Sequence, residues 1–84
     1  MSYQELEHDV AEVLALANQL LPAESFAEAR HYMNHNEFEL GLDTIAATLA
    51  ASGKRIKPQL YAKFLLLGNE LQMDESFWES IRPE

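Results

Sequence analysis

Three side chains near the middle of the chain have the types and spacing of a metal-ligand set. Glu28, His31 and His35 stand at i, i+3 and i+7. On one continuous helix, two imidazoles and a carboxylate so spaced could share a face and hold zinc. His35, however, falls in the run Asn34-His35-Asn36, which reads as a tight corner because asparagine tolerates left-handed backbone. There the helical spacing fails. No other histidine is near in sequence, and cysteine is absent. A polar surface or capping role is the expectation for these three, and no metal or cofactor is assigned. Catalysis has less support still. Carboxylates are plentiful, but nothing in their spacing pairs them across a cleft as general acid–base work requires. Ser2, Ser25 and Ser76 each read as helix caps, and no glycine-rich phosphate loop exists. The checklist for an active site stays almost empty, so the chain is expected not to be an enzyme.

Charge offers more than chemistry does. The formal charge is −8 over 84 residues. Residues 1–50 hold nine acids and one base, Arg30, whereas residues 51–84 hold five of each. Such a field repels nucleic acid and anionic lipid and steers basic partners inward, although acidity also simply keeps small proteins soluble. The Lys54-Arg55-Ile56-Lys57 run is too short and isolated to bind nucleic acid against that field. It is expected to cap the end of a helix or to add a basic contact on one edge. Without cysteine there is no disulfide or thiol nucleophile, which suits a reducing cytoplasm. Glu5, Glu7 and Asp9 occupy the place where a signal peptide would carry positive charge. No apolar run approaches the length needed to cross a bilayer.

The elements that position these residues follow from apolar periodicity. The most informative stretch is Asn34 to Leu49. Phe38, Leu42, Ile45 and Leu49 recur as one stripe of an amphipathic helix, with Asn36 as expected N-cap and Glu39 in the first turn. Glu37, Glu39 and Asp43 flank the exposed side. Gly41 inside this helix costs about 1 kcal/mol against alanine, so a neighbouring helix is expected to come close there. Gly53 is the expected residue just past its end.

A first helix is expected from about Tyr3 to Leu21, opened by Ser2 and Glu5 as a capping pair. Leu6, Val10, Val13, Leu14, Ala17, Leu20 and Leu21 face its core, and Pro22 closes it. Glu5, Asp9 and Glu12 stack on another side. A second helix spans about Ala23 to Asn34, starting at Pro22 or at Ser25, with Phe26, Ala29 and Met33 inward. A fourth starts at Pro58. Its stripe of Leu60, Phe64, Leu67 and Leu71, widened by Tyr61, Leu65 and Leu66, marks it as the most buried; it ends at Met73-Asp74. A short last helix over Glu75 to Ile81 pins Phe77, Trp78 and Ile81 over the core. Tyr3, Tyr32 and Tyr61 read first as packing residues and second as interface anchors. Short helices joined by short connections imply an all-α fold, a compact antiparallel bundle of four helices plus a short C-terminal helix.

Residues 34–49, N-H-N-E-F-E-L-G-L-D-T-I-A-A-T-L, resemble a segment of small bacterial immunity proteins, among them the MafI-type proteins and those of contact-dependent growth-inhibition systems. In these a helix ends in a polar corner, and a Glu-aromatic pair opens a helix of the form E-[FY]-x-L-[AG]-L-x-x-[IL]-A. Here that pattern is Glu37, Phe38, Leu40, Gly41, Leu42, Ile45 and Ala46. The likeness continues weakly through Leu21-Pro22, Ile56 and the tail from Met73 to Ile81. The resemblance implies a single immunity-type domain over residues 1–84 that neutralises a cognate toxin's C-terminal domain in the cytoplasm. Such toxins are often nucleases with basic substrate grooves, and an acidic face suits that partner independently. The chain lacks the tyrosine pair of the helical immunity proteins of nuclease colicins and is not placed with them. Charge selects the candidate contacts, since the resemblance does not: Glu28, Glu37, Glu39 and Asp43 first, then Glu5, Asp9 and Glu12 as a second face. A DNA-mimic role is a variant of this reading. The alternative is a small acidic adaptor or homo-oligomeric structural subunit with no toxin partner.

Overall fold

The apolar stripes become helices, and in the computed structural model, which describes residues 2–84, the helix ends are set by local hydrogen bonding. Helix α1 (Tyr3–Ala17) opens at Ser2, whose hydroxyl oxygen accepts the Glu5 N–H at 3.2 Å. The Ser2 hydroxyl in turn donates to the Glu5 carboxylate. Helix α1 stops short of the expected Leu21. A 3-10 turn covers Asn18–Leu20, and Leu21 is extended. Pro22 causes this, because its ring forces the preceding residue out of helical geometry. Pro22 takes the N-cap position of α2 (Ala23–Asn34), which settles the start there rather than at Ser25.

The asparagine corner forms as predicted. Asn36 is left-handed at φ 60°. The Glu37 N–H donates to the Tyr32 carbonyl at 2.9 Å and the Asn36 N–H to that of Met33 at 3.2 Å, the paired bonds of a Schellman end. A left-handed Asn36 cannot also cap the next helix. That expectation is corrected: α3 (Phe38–Ser52) follows Glu37 and has no side-chain cap. Asn36 instead accepts a hydrogen bond from the Tyr3 hydroxyl. Helix α3 ends on Gly53 at φ 68°, as the sequence indicates. Helix α4 (Pro58–Glu70) has Pro58 in its first turn but ends before Met73. Gln72 turns left-handed there (φ 55°), and the Met73 N–H reaches the Gly68 carbonyl at 2.8 Å in a second Schellman end.

The last helix, α5 (Ser76–Glu79), is shorter than expected. Beyond it Ile81 turns into the core, and Arg82–Pro83 (β2) pairs in parallel with Arg55–Ile56 (β1). The Glu84 N–H extends the tie to the Ile56 carbonyl at 2.7 Å. Two-residue strands carry no readable periodicity, so this clasp was not foreseen. The architecture is the all-α antiparallel bundle of four helices and a short C-terminal helix, with one continuous core. No helix among the described residues is long and apolar enough to cross a membrane.

Helix α3 is the centre of that core. Phe38, Leu42, Ile45, Ala46 and Leu49 are all buried, together with Gly41. It is α3, and not α4, that is most enclosed, with six of fifteen residues buried against four of thirteen. Helix α2 packs on α3, and α1 on α4. The close approach expected at Gly41 is present: an added Cβ would lie 2.9 Å from Met33 Cγ and 3.2 Å from the Ala29 carbonyl oxygen. Gly68 does the same for α4 and α5, where a Cβ would meet the Trp78 ring at 2.7 Å and Phe77 at 3.1 Å. A planar indole cannot yield as a methionine tip can. Gly68→Ala is therefore expected to destabilise the fold by roughly 1–3 kcal/mol despite alanine's better helix propensity. Urea unfolding followed by Trp78 fluorescence measures this, and a variant as stable as the parent would refute the packing argument.

Candidate partner-binding groove

The two acidic faces singled out in the sequence meet different fates. On α1, the Asp9 carboxylate accepts from Lys63 Nζ on α4 at 3.1 Å, and Glu12 lies 3.4 Å from the same nitrogen. Glu5 is drawn into the Ser2 cap. This face is therefore partly consumed in holding α1 to α4. The hydrogen bond to Asp9, aided by both carboxylate charges and opposed by partial desolvation, raises the Lys63 ammonium above the ordinary lysine value.

The metal question takes a similar turn. The His31 and His35 rings sit 4.4 Å apart, but His35 Nδ1 donates to the His31 carbonyl at 2.8 Å. The corner thus puts His35 to a capping use. Among the described residues the set whose ligand atoms fall within reach of one another is His8, Asp9 and Glu12. Lys63 already stands where a cation would, bonded to two of the three.

On α3 the outcome differs. Glu39, Asp43, Ala46 or Ala47, and Ala50 follow one another at i, i+4, i+7 or i+8, and i+11. They form a second stripe beside the core stripe. This stripe is one wall of a groove of about 590 Å³; the other wall is the C-terminal segment, with Gln72, Met73, Asp74, Ser76, Phe77 and Ser80. Glu39 and Asp43 are exposed, and no cation among the described residues pairs with either. A third acid, Asp74, comes from across the groove. It accepts the Ser76 N–H at 2.9 Å, and this bond holds its carboxyl below the ordinary carboxylate value. Asp74 thus both accepts the first N–H of α5 and places a negative charge on the rim.

Glu37 lies beside this site, lining a shallower depression with Leu40 and Leu71 to which Glu39 also contributes. Glu28 is exposed on α2 and lines neither surface. The acids of α3 thus meet as a site, whereas Glu28 stands apart. Sequence reasoning missed Asp74, Met73, Ser76, Phe77 and Ser80, which reach the site only through the folded tail. The alanines of the stripe stand at a regular helical spacing, but nothing in their type marks a surface. On another side, Arg55 and Lys57 rim a groove of about 240 Å³ with Leu16, Leu20 and Leu60. Lys54 donates to the Leu20 carbonyl at 3.3 Å, so it closes the 3-10 turn and does not cap α3. No family model, curated protein or solved structure matches the chain.

Lys63→Ala is expected to lower Tm, since Asp9 and Glu12 are left facing each other, and the loss should shrink as salt screens them. Because the folded pKa of Lys63 is raised, its stabilisation is complete below the ordinary value of 10.5 and fades as pH rises through the folded value. Thermal melts of parent and variant should therefore converge on the alkaline side. For Asp74 the sign is reversed: a lowered folded pKa gives stability above the ordinary value of 3.8 that is lost as pH falls through the folded value. Asp74→Ala is expected to loosen α5, seen as faster amide exchange at Ser76 and Phe77, whereas Asp74→Asn keeps an acceptor oxygen and much of the protection.

Proposed function

We propose that this chain is an immunity-type binding protein: a stoichiometric, non-enzymatic inhibitor that neutralises a cognate toxin domain in the bacterial cytoplasm. The observation that carries the reading is the groove beside α3, where Glu39 and Asp43 stand without a cation among the described residues and Asp74 lines the opposite wall. Carboxylates left unpaired on a helix favour a basic partner, because no internal ion pair has to be broken when the partner's cations arrive. The net charge of −8 extends that attraction over the whole approach path. The likeness of residues 34–49 to immunity proteins supplies the biological class, and a nuclease domain with a basic groove is the partner that fits both. Glu37, Glu39 and Asp43 are the leading contacts. Glu28 is a peripheral one, and Glu5, Asp9 and Glu12 form a secondary face already engaged within the molecule.

The structural-subunit alternative has less behind it. Leu16, Leu40 and Leu66 are 39%, 50% and 46% exposed. Leu16 and Leu40 line separate depressions, and single exposed leucines are common on monomers.

The test is capture of the toxin C-terminal domain encoded beside this chain, at low and high salt, with growth rescue scored in parallel. Salt-sensitive capture with rescue is expected; failure of both would end the immunity reading. Reversing charge with Glu39→Lys and Asp43→Lys is expected to slow association by about tenfold or more at low salt while leaving the helical circular-dichroism spectrum and Tm nearly unchanged.

A further inference from the structure

We infer that the groove between α3 and the C-terminal segment receives a basic amphipathic helix from the partner, its cationic side at Glu39, Asp43 and Asp74 and its apolar side on the alanines. This deepens the binding reading proposed above and rests on it for the partner's identity, not for the occupant's chemistry. The groove follows α3 from Glu39 to Ala50. At the helical rise per residue that is about 16 Å, or three turns of a docked helix.

Its two ends differ in character. At one end two exposed carboxylates of α3 face a third that is held ionised. At the other, Ala47 and Ala50 present methyl groups only, so the backbone of an incoming helix can approach closely. Phe77 and Met73 supply further apolar surface from the opposite wall.

The occupant's secondary structure follows from the hydrogen bonds. The N–H groups of Gln72 and Met73 are bonded to carbonyls at the end of α4, and those of Ser76, Phe77, Trp78 and Glu79 within the tail. The α3 wall is continuous helix. With those donors used, an extended strand would find no continuous edge to pair with, whereas a helix satisfies its own backbone and needs only side-chain contacts.

Charge decides among the remaining occupants. A nucleic acid is repelled by the carboxylates. A second copy of this chain brings a net charge of −8 to a negative rim. The carboxylates of Glu39, Asp43 and Asp74 are not among the described groups close enough to share one ion. The contrast with α1 is the strongest argument. There two of the three stacked acids, Asp9 and Glu12, are met by Lys63 from within the fold. The equivalent repulsion between Glu39 and Asp43, like charges one turn apart, is relieved by no cation among the described residues.

The experiment uses a synthetic helical peptide with leucines on one face and lysines on the other. It is titrated into the isotope-labelled protein by NMR and calorimetry. A peptide of the same composition with its lysines scattered around the helix serves as control. Shifts confined to α3 residues 39–50 and tail residues 72–80 are expected. Affinity is expected to fall about tenfold or more in Glu39→Gln/Asp43→Asn. Binding should be lost in Ala47→Trp, which fills the groove from an exposed position, and be unchanged in Glu7→Gln and Glu24→Gln. Shifts centred on α1 or spread over the surface, equal binding of the scattered peptide, or affinity indifferent to the groove variants would overturn the inference. So would groove shifts that appear with protein concentration alone, which would make a second copy the occupant. Running the same variants in toxin capture separates the two readings. Capture that survives Ala47→Trp keeps the immunity function and removes the groove. Peptide binding in the groove without toxin capture does the reverse.

Discussion

The burial of one broad face of α3 in the core is the constraint on which the rest of this molecule depends. Six of its fifteen residues are buried, so no single partner helix can cover it. Helix α2 lies against it through the gap at Gly41, where Met33 and the Ala29 carbonyl come within contact of the missing side chain. The C-terminal segment covers part of another flank with Phe77. What remains uncovered is the stripe from Glu39 to Ala50. In a chain this small the helices are too few to enclose a central one completely, so one flank of α3 stays open.

Placement of a single lysine then separates the acidic faces. Both α1 and α3 carry carboxylates one turn apart, and both incur the repulsion that follows. Lys63 projects from α4, which packs on α1, and so it relieves α1 alone. Its counterparts Arg55, Lys57 and Arg82 lie at the clasp between β1 and β2. Glu39 and Asp43 of α3 are thereby left without a cation among the described residues.

The far wall of the groove is held less by its own helix than by its surroundings. Helix α5 has four residues and could not persist alone. Trp78 over Gly68, Ile81 in the core, the Asp74 cap and the parallel pairing of Arg82–Pro83 with Arg55–Ile56 fix it from four directions. These are short-range, individually modest contacts. The wall is thus the element whose local opening would most easily change the width of the groove, whereas the α3 wall is as rigid as the core behind it.

The sequence by itself determined the helices, their inward faces and most of their ends. Apolar spacing at Phe38, Leu42, Ile45 and Leu49, the Ser2 cap, the left-handed corner at Asn36, Gly53 and Pro58 all act within a turn or two of their own position, and local effects are what a linear pattern records. The excess of acid in residues 1–50 was equally plain. Tertiary structure alone decided where that charge is free. Whether Asp9 and Glu12 meet a lysine depends on a residue more than fifty positions away. Whether Glu39 and Asp43 face a wall carrying Asp74 depends on how the tail folds back. The shortfalls at Leu21, Asn36 and Met73 have a related origin, since each is a place where a proline or a left-handed residue ends one element and the packing of the next decides the geometry. Periodicity is blind to such pairings because they join faces, not neighbours, and the groove exists only where two such faces meet.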